Sequence, residues 1–205
     1  MEELLFEMPQ SIEPTEFNLN DPKVNKRHAR EFLKDSEREQ LEAISGGTLY
    51  KIGNKIMLID EDSELAPRLL YYVQWKDIFH KFVGRRAASQ IAVWRDQDEP
   101  ATAGVAQRIF FDYLLPIYGV MITDTMQTPD GRRFWINRIG DAFKKHLHVY
   151  YLNLMQPSGG RDAQRELIEI HDEAEFSKLS REKEFWGRPD LFRARKILIC
   201  EQPLD

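Results

Sequence analysis

The residues best equipped for chemistry crowd one short stretch, ITDTMQTPDGRRFW. There Thr123, Asp124, Thr125, Gln127 and Thr128 come after an apolar run, at the expected carboxyl end of a parallel strand. Crevices at such strand ends are where open α/β sheets bind ligands. Asp124 placed there could orient or deprotonate an amine, and Tyr118 or Tyr150 could supply a proton from nearby. The competing reading is structural: Thr128-Pro129-Asp130 is a helix-start pattern, so Asp124 and Thr128 would cap the next helix. Arg132 and Arg133 read as solvated positions on that helix.

Other reactive residues form weaker patterns. His80, Lys81, Arg85 and Arg86 surround Gly84 in HKFVGRRAA, a basic cluster that suits either an exposed connection or an anion site. His146 and His148 lie two apart at the start of a strand, and with no third ligand to join them no metal site is expected. His80 and His171 are isolated in sequence. Cys200 is the only cysteine, which excludes an intramolecular disulfide and a multi-thiolate metal site and fits a reducing compartment. Neither a GxxxxGK phosphate loop nor a local Ser-His-Asp or Cys-His signature is present.

The elements that must position these residues are clearest from Ala101 to Asn153. ATAGVAQRIFFDYLLPIYG carries Val105, Ile109, Phe110, Tyr113 and Leu114 at helical spacing, VMITD is a short strand, TPDGRRFWINRIGDAFKKH is a second helix, and LHVYYLN a second strand. Strands joined through helices of this length are expected to be parallel. The spacing puts the strands ending near Asp96, Asp124 and Asn153 in one mixed sheet, with the helices starting near Thr102 and Pro129 on opposite faces. Trp75, Trp94, Phe110, Tyr113, Phe134 and Trp135 are the expected aromatic core.

Upstream, a charged helix is expected from Lys23 to Ser45, with Phe32, Leu41 and Ile44 as its apolar stripe. TLYKIGNKIMLID is a hairpin signal turning at Gly53-Asn54. RLLYYVQWK and SQIAVWRD are two more strands, expected to pair antiparallel. Downstream, LMQPSGGRDAQ reads as a surface loop, residues 166 to 179 as one or two short helices, and RKILIC as a closing strand on a sheet edge. The fold class is therefore α/β (α+β), a mixed central sheet with antiparallel N-terminal strands and a β-α-β-α-β C-terminal half. Residues 1–22 form an irregular arm interrupted by Pro9, Pro14 and Pro22, and 23–205 a single domain. The arm either lies along the domain surface or docks on a protein partner through Leu4, Leu5, Phe6, Ile12 and Phe17.

This element order resembles the GNAT superfamily of acyl-CoA-dependent N-acyltransferases, from about Lys23 to Cys200. In that family a Q/R-x-x-G-x-G/A turn opens the central helix, whose backbone N–H groups hold the coenzyme A pyrophosphate. Gly104-Val105-Ala106 matches the end of the motif, while Ala101 stands where the Gln or Arg would be. The resemblance implies acetyl-CoA or another acyl-CoA held by Gly104, Val105, Ala106, Gln107 and Arg108, with Arg95 also reaching the phosphates. Asp96, Asp98 and Glu99 oppose an anion there, so weak binding is expected. The family's next helix often supplies a tyrosine as general acid, and here Phe134-Trp135 has no ionisable proton. Slow or weak acyl transfer to an amine is the implied activity, with Asp124, Tyr118 and Tyr150 as the candidate catalytic residues. The acceptor would be an amine-bearing small molecule or protein. The other function class is a catalytically silent GNAT-like interaction or structural module. The GVAQRIFFDYLLPIYG and FW patterns are also similar to small proteins of tailed bacteriophages or mobile elements.

Bulk properties set the outer limits. The 205 residues carry a formal net charge of −5 with pI near 5.6, so no global field draws the chain to nucleic acid or an anionic membrane. No apolar run reaches the roughly 18 residues of a membrane span, and Met1-Glu2-Glu3 has the wrong charge for a secretory leader. A cytoplasmic location is expected, in the host cell if the chain is phage-encoded.

Overall fold

The computed structural model describes residues 18–62, 66–80, 84–123, 129–153, 166–183, 185 and 195–204. The arm's residues 1–17 and the expected loop after Asn153 lie outside them. The described residues fall into two compact units, one running to Tyr72 and including Trp94–Thr102, the other containing Val73–Val93 and the residues from Ala103 onward. The whole is a mixed α/β protein whose strands pair mostly antiparallel.

In the first unit, helix α1 (Pro22–Lys34) starts where Asp21 accepts a hydrogen bond from the Lys23 amide at 2.8 Å and Pro22 presets the first helical φ. Its buried side is Asn25, Ala29 and Phe32. The helix stops at Asp35, whose backbone is extended, well short of the predicted end at Ser45. Beyond it lies a strand, β1 (Glu39–Ile44), paired antiparallel with β2 (Gly47–Ile52). Leu41 falls in the irregular register between Gln40 and Glu42, so Leu41 and Ile44 imitate a helical stripe by their spacing alone.

The predicted hairpin is present. Strands β2 and β3 (Lys55–Asp60) pair from Thr48↔Ile59 to Ile52↔Lys55, leaving Gly53-Asn54 as the turn. Only Gly53 takes a positive φ, +53°, which a residue without Cβ adopts at no steric cost. Next to β3 lies β4 (Arg68–His80), which begins in this unit and continues into the second. Trp94, expected in the core, is half-buried here, its indole N–H bonded to Asn20 Oδ1 at 2.9 Å.

The second unit has the strand order β4, β5 (Arg85–Arg95), β6 (Val120–Ile122), β9 (Arg195–Cys200), β7 (His148–Asn153), β8 (Glu166–Ile170). Strands β5 and β6 are parallel, and β9 is antiparallel to both β6 and β7. Thus β6 and β7 are parallel to each other, and Val120–Ile122 is a sheet strand as expected. Strand β9 is internal, which corrects its placement at an edge. Its ILIC run is buried throughout, the signature of a strand covered on both faces. Glu166–Ile170 is a strand paired with β7, correcting the helical reading, and helix α5 (Glu173–Glu182) begins only after Asp172 caps it.

The helix between β5 and β6 has three segments. Helix α2 (Val105–Arg108) runs into a wider π-type segment (Ile109–Leu114) and then α3 (Leu115–Tyr118). Pro116 has no N–H and its ring would press on the Asp112 carbonyl, so the widened turn before it is where the strain is relieved. Helix α4 (Pro129–Lys144) links β6 to β7. Both connections step the same way across the sheet, and two right-handed crossovers of that kind put their helices on one face. Opposite faces, as predicted, would need a reversal of direction that this strand order lacks. The rings record the result: Phe110 meets Trp135 edge-on at 5.5 Å between centroids and Phe134 at 6.3 Å. Trp75, Phe110 and Trp135 are buried as expected, whereas Tyr113 and Phe134 are half-buried.

The other face of this unit carries a buried cluster of Ala87, Val120, Ile122, Tyr150, Leu152, Leu198 and Cys200. Leu204 packs against it, and the Glu201 amide bonds to the Gly119 carbonyl at 3.0 Å. No helix among the described residues is long and apolar enough to cross a membrane.

Candidate functional site

Strand β5 keeps company with β6 only briefly. The parallel register comprises Ala88↔Met121 and Ser89↔Ile122, after which β5 runs on while β6 ends. Among the described residues no pair to β6 follows Ser89, so the β5 peptide groups beyond it are the backbone donors next to the end of β6. The next helix starts at Gly104, in the left-handed region at φ +76°, with no side chain capping it. Its first internal bond runs from the Arg108 amide to the Gly104 carbonyl at 3.0 Å, so the amides of Val105, Ala106 and Gln107 precede any helical partner. Val105 is buried, and Ala106, Gln107 and Arg108 are half-buried. Arg95 is exposed and belongs to the first unit, Gly104 to Arg108 to the second.

The acidic run before this helix has work of its own within the first unit. Arg68 donates from Nε to Asp60 at 3.1 Å and from one terminal nitrogen to Glu99 at 2.7 Å, with the other 3.9 Å from Asp96. The Asp60 bond is the main reason the Arg68 guanidinium titrates above its ordinary range. Glu99 further accepts from the Ala101 amide, and its carbonyl accepts the Thr102 hydroxyl at 2.8 Å. Asp96 and Glu99 thus face a compensating cation, which the sequence reading missed. Its signal was Arg68 standing at the start of a strand just after an acidic loop.

Asp124 and the residues up to Thr128 lie outside the described residues. Thr123, the last one before them, is buried and tied to β9: its hydroxyl accepts from the Ile197 amide at 3.1 Å, and its own amide donates to the Ile197 carbonyl at 3.0 Å.

Tyr118 and Tyr150 do not stand on one side of the sheet. Tyr150 pairs with Leu198, which pairs with Ile122, itself opposite Ser89, so these four share a face with Ala87. The Tyr118 ring lies 6.0 Å from the Arg86 guanidinium, and Arg86 alternates with Ala87 onto the other face. Tyr118 also sits at the amino end of β6, whereas Asp124 comes after its carboxyl end.

Their hydroxyls differ as well. The Trp75 indole donates to the Tyr118 hydroxyl at 2.8 Å, and since an indole can only donate, the phenol proton is directed elsewhere. The Tyr150 hydroxyl accepts from the Leu204 amide at 3.1 Å, and burial is the main cause that raises its pKa, with Glu169 adding to it. Phe134 and Trp135 are committed to the aromatic cluster.

Of the basic cluster, residues 81–83 are outside the described set. Arg85 and Arg86 belong to β5, and Arg86 pairs with Asp77 on β4. His146 is exposed at φ +56° just ahead of β7, so it does not share the strand face of His148. Among the described residues no group of three or more metal-ligating side chains occurs.

His148 instead bonds through Nδ1 to Glu169 Oε1 at 2.9 Å and stacks on Tyr150 at 6.4 Å. This cluster went unseen because Glu166–Ile170 was read as helix, which hides its alternation opposite β7. The His148 hydrogen bond is the first cause holding the Glu169 carboxyl below its ordinary value of 4.5. A carboxylate with a depressed folded pKa contributes stability above its unfolded pKa and loses it as pH falls through the folded one. His148→Ala is therefore expected to flatten the fall in melting temperature below about pH 4.5 relative to wild type, read by thermal denaturation at a series of pH values. Superimposable profiles would mean that the pair adds nothing.

No family model, curated protein or solved structure matches this chain.

Proposed function

We propose that this chain is a divergent GNAT-like acyl-CoA-dependent N-acyltransferase, slow in transfer, that acylates an amine on a small molecule or a protein. The observation that carries the reading is that β5 runs on past the end of β6, with two residue pairs between them among the described residues, ahead of a helix whose start is bare of side-chain caps. A thioester arm laid along β5 beyond the end of β6 would bond to the β5 backbone, and its pyrophosphate to the amides of Val105, Ala106 and Gln107, with Arg108 beside them. These residues suit a phosphate group through backbone donors alone, since Ala101 brings no donor.

Acyl transfer from a thioester requires a neutral amine, a stabilised tetrahedral oxyanion and a proton for the leaving thiolate. Asp124, beyond the carboxyl end of β6, takes the amine's proton directly or through water. Backbone N–H groups near Ala92 and Val93 hold the oxyanion. The nitrogen–carbon bond forms, the carbon–sulfur bond breaks, and the thiolate takes its proton from solvent, because no side-chain acid stands at Trp135. Tyr118 retains a proton to give, but from the amino end of β6.

The test is thiol release from acetyl-CoA across polyamines, aminoglycosides and lysine-bearing proteins. Slow turnover is expected, reduced about a hundredfold or more by Asp124→Asn, the usual scale for losing a general base. Fast transfer untouched by that substitution would overturn the site. A second reading, an interaction module without catalysis, is favoured by Phe79 and Ile117, 67% and 60% exposed. No turnover together with a stable complex in pull-down would select it.

A further inference from the structure

Past β9 the backbone leaves the sheet and turns over the face that carries the buried cluster. The Glu201 amide bonds to the Gly119 carbonyl at 3.0 Å, and the Leu204 amide donates to the Tyr150 hydroxyl at 3.1 Å. Between those two points Gln202 and Pro203 are exposed, and Pro203 has no N–H to give. The half-buried Leu204 side chain packs on the cluster that holds Val120, Tyr150, Leu198 and Cys200.

The contrast with the preceding residues is abrupt. Strand β9 is hydrogen-bonded to β6 on one side and to β7 on the other, and it is buried over residues 196–200. Among the described residues, 201–204 are fastened by two amides and one side chain. Segments with so few buried contacts open at a small fraction of the global unfolding free energy. The acceptor at the far end is fixed, because the Tyr150 ring is 4% exposed and belongs to the cluster itself.

We propose that residues 201–204 are a strap, latched by the Tyr150 hydroxyl, which opens while the sheet beneath stays folded and so controls access to the apolar face over β6, β9 and β7. With the strap closed, Leu204 covers the cluster. With it open, the Leu204 amide and the Tyr150 hydroxyl both pass to water, and the apolar side chains beneath become accessible. The strap is independent of the acyl-CoA reading.

Cys200 reports the motion, since it is the only cysteine, lies at the foot of the strap and is 0% exposed. Burial pushes its thiol up to about 12, so in the closed form it is both shielded and protonated. The experiment follows labelling of Cys200 in the full chain by an excess of a disulfide reagent, from zero urea to just below the unfolding transition. In wild type the labelling rate is expected to be measurable and flat with urea, because so short a strap exposes little surface when it opens. Tyr150→Phe keeps the ring and removes the acceptor, and should speed labelling about fivefold, the scale of one neutral hydrogen bond, with the rate still flat. Leu204→Ala, which loses the packing, should speed it as well. A rate that rises with urea from the start, in step with global unfolding, would overturn the proposal. So would no labelling below the transition, or equal rates in wild type and Tyr150→Phe.

Discussion

Phe110→Ala is expected to lower stability by about 3–5 kcal/mol, the cost of removing a large ring from a site that cannot collapse around the loss. Phe110 is 1% exposed within the widened segment of the helix before β6. Its ring touches Phe111 at 4.9 Å and Trp135 at 5.5 Å, and Phe134 completes the group at 6.3 Å. Through it the two crossover helices are joined on one face, so truncation opens a cavity and unseats α4 together. Chemical denaturation should show a lower midpoint with an unchanged slope. A midpoint that did not move would place the ring outside the core.

The second large effect lies in the first unit, at Asn25. This side chain, 7% exposed, donates to the Leu69 carbonyl at 3.0 Å and to the Leu19 carbonyl at 3.3 Å, and accepts from the Leu69 amide at 2.8 Å. It thereby secures the start of β4 and the turn ahead of α1 to one helical position. Asn25→Ala removes all three bonds and leaves their buried backbone partners unmatched, a loss on the order of 3 kcal/mol. Asn25→Asp keeps the acceptor for Leu69 but sets a buried carboxylate against the two carbonyl oxygens, and near neutral pH should be no more stable than Ala. Denaturation of the three proteins side by side tests this, and equal stabilities for Ala and wild type would contradict it.

The features legible in the sequence are those whose physical signals are local. The β2–β3 hairpin was readable because Gly53-Asn54 and the alternation around it are short-range, and the helices flanking β6 because their apolar spacing is sustained. The end of α1 was not, since Leu41 and Ile44 keep helical spacing across a strand irregularity. Strand β8 was hidden because five residues, ELIEI, suit either period, and only pairing with β7 decides between them. The place of β9 and the common face of the two crossover helices depend on strand order, a non-local property. At the site, the helix start at Gly104 was readable from its glycine. The separation of Tyr118 from Tyr150 was not, because it turns on register, where a shift of one residue changes the face. Arg68 could not be tied to Glu99 from sequence, with 31 positions between them.

We propose that an acyl-CoA binds where β5 runs on past the end of β6, at the helix start at Gly104. Titration of acetyl-CoA into the full chain, monitored by calorimetry and by melting temperature, tests it most directly. Saturable heat and a melting temperature that climbs with ligand concentration are predicted, with free coenzyme A keeping part of the effect through its pyrophosphate. No heat and an unmoved melting temperature even at millimolar acetyl-CoA, a concentration that reveals weak binding, would contradict that binding.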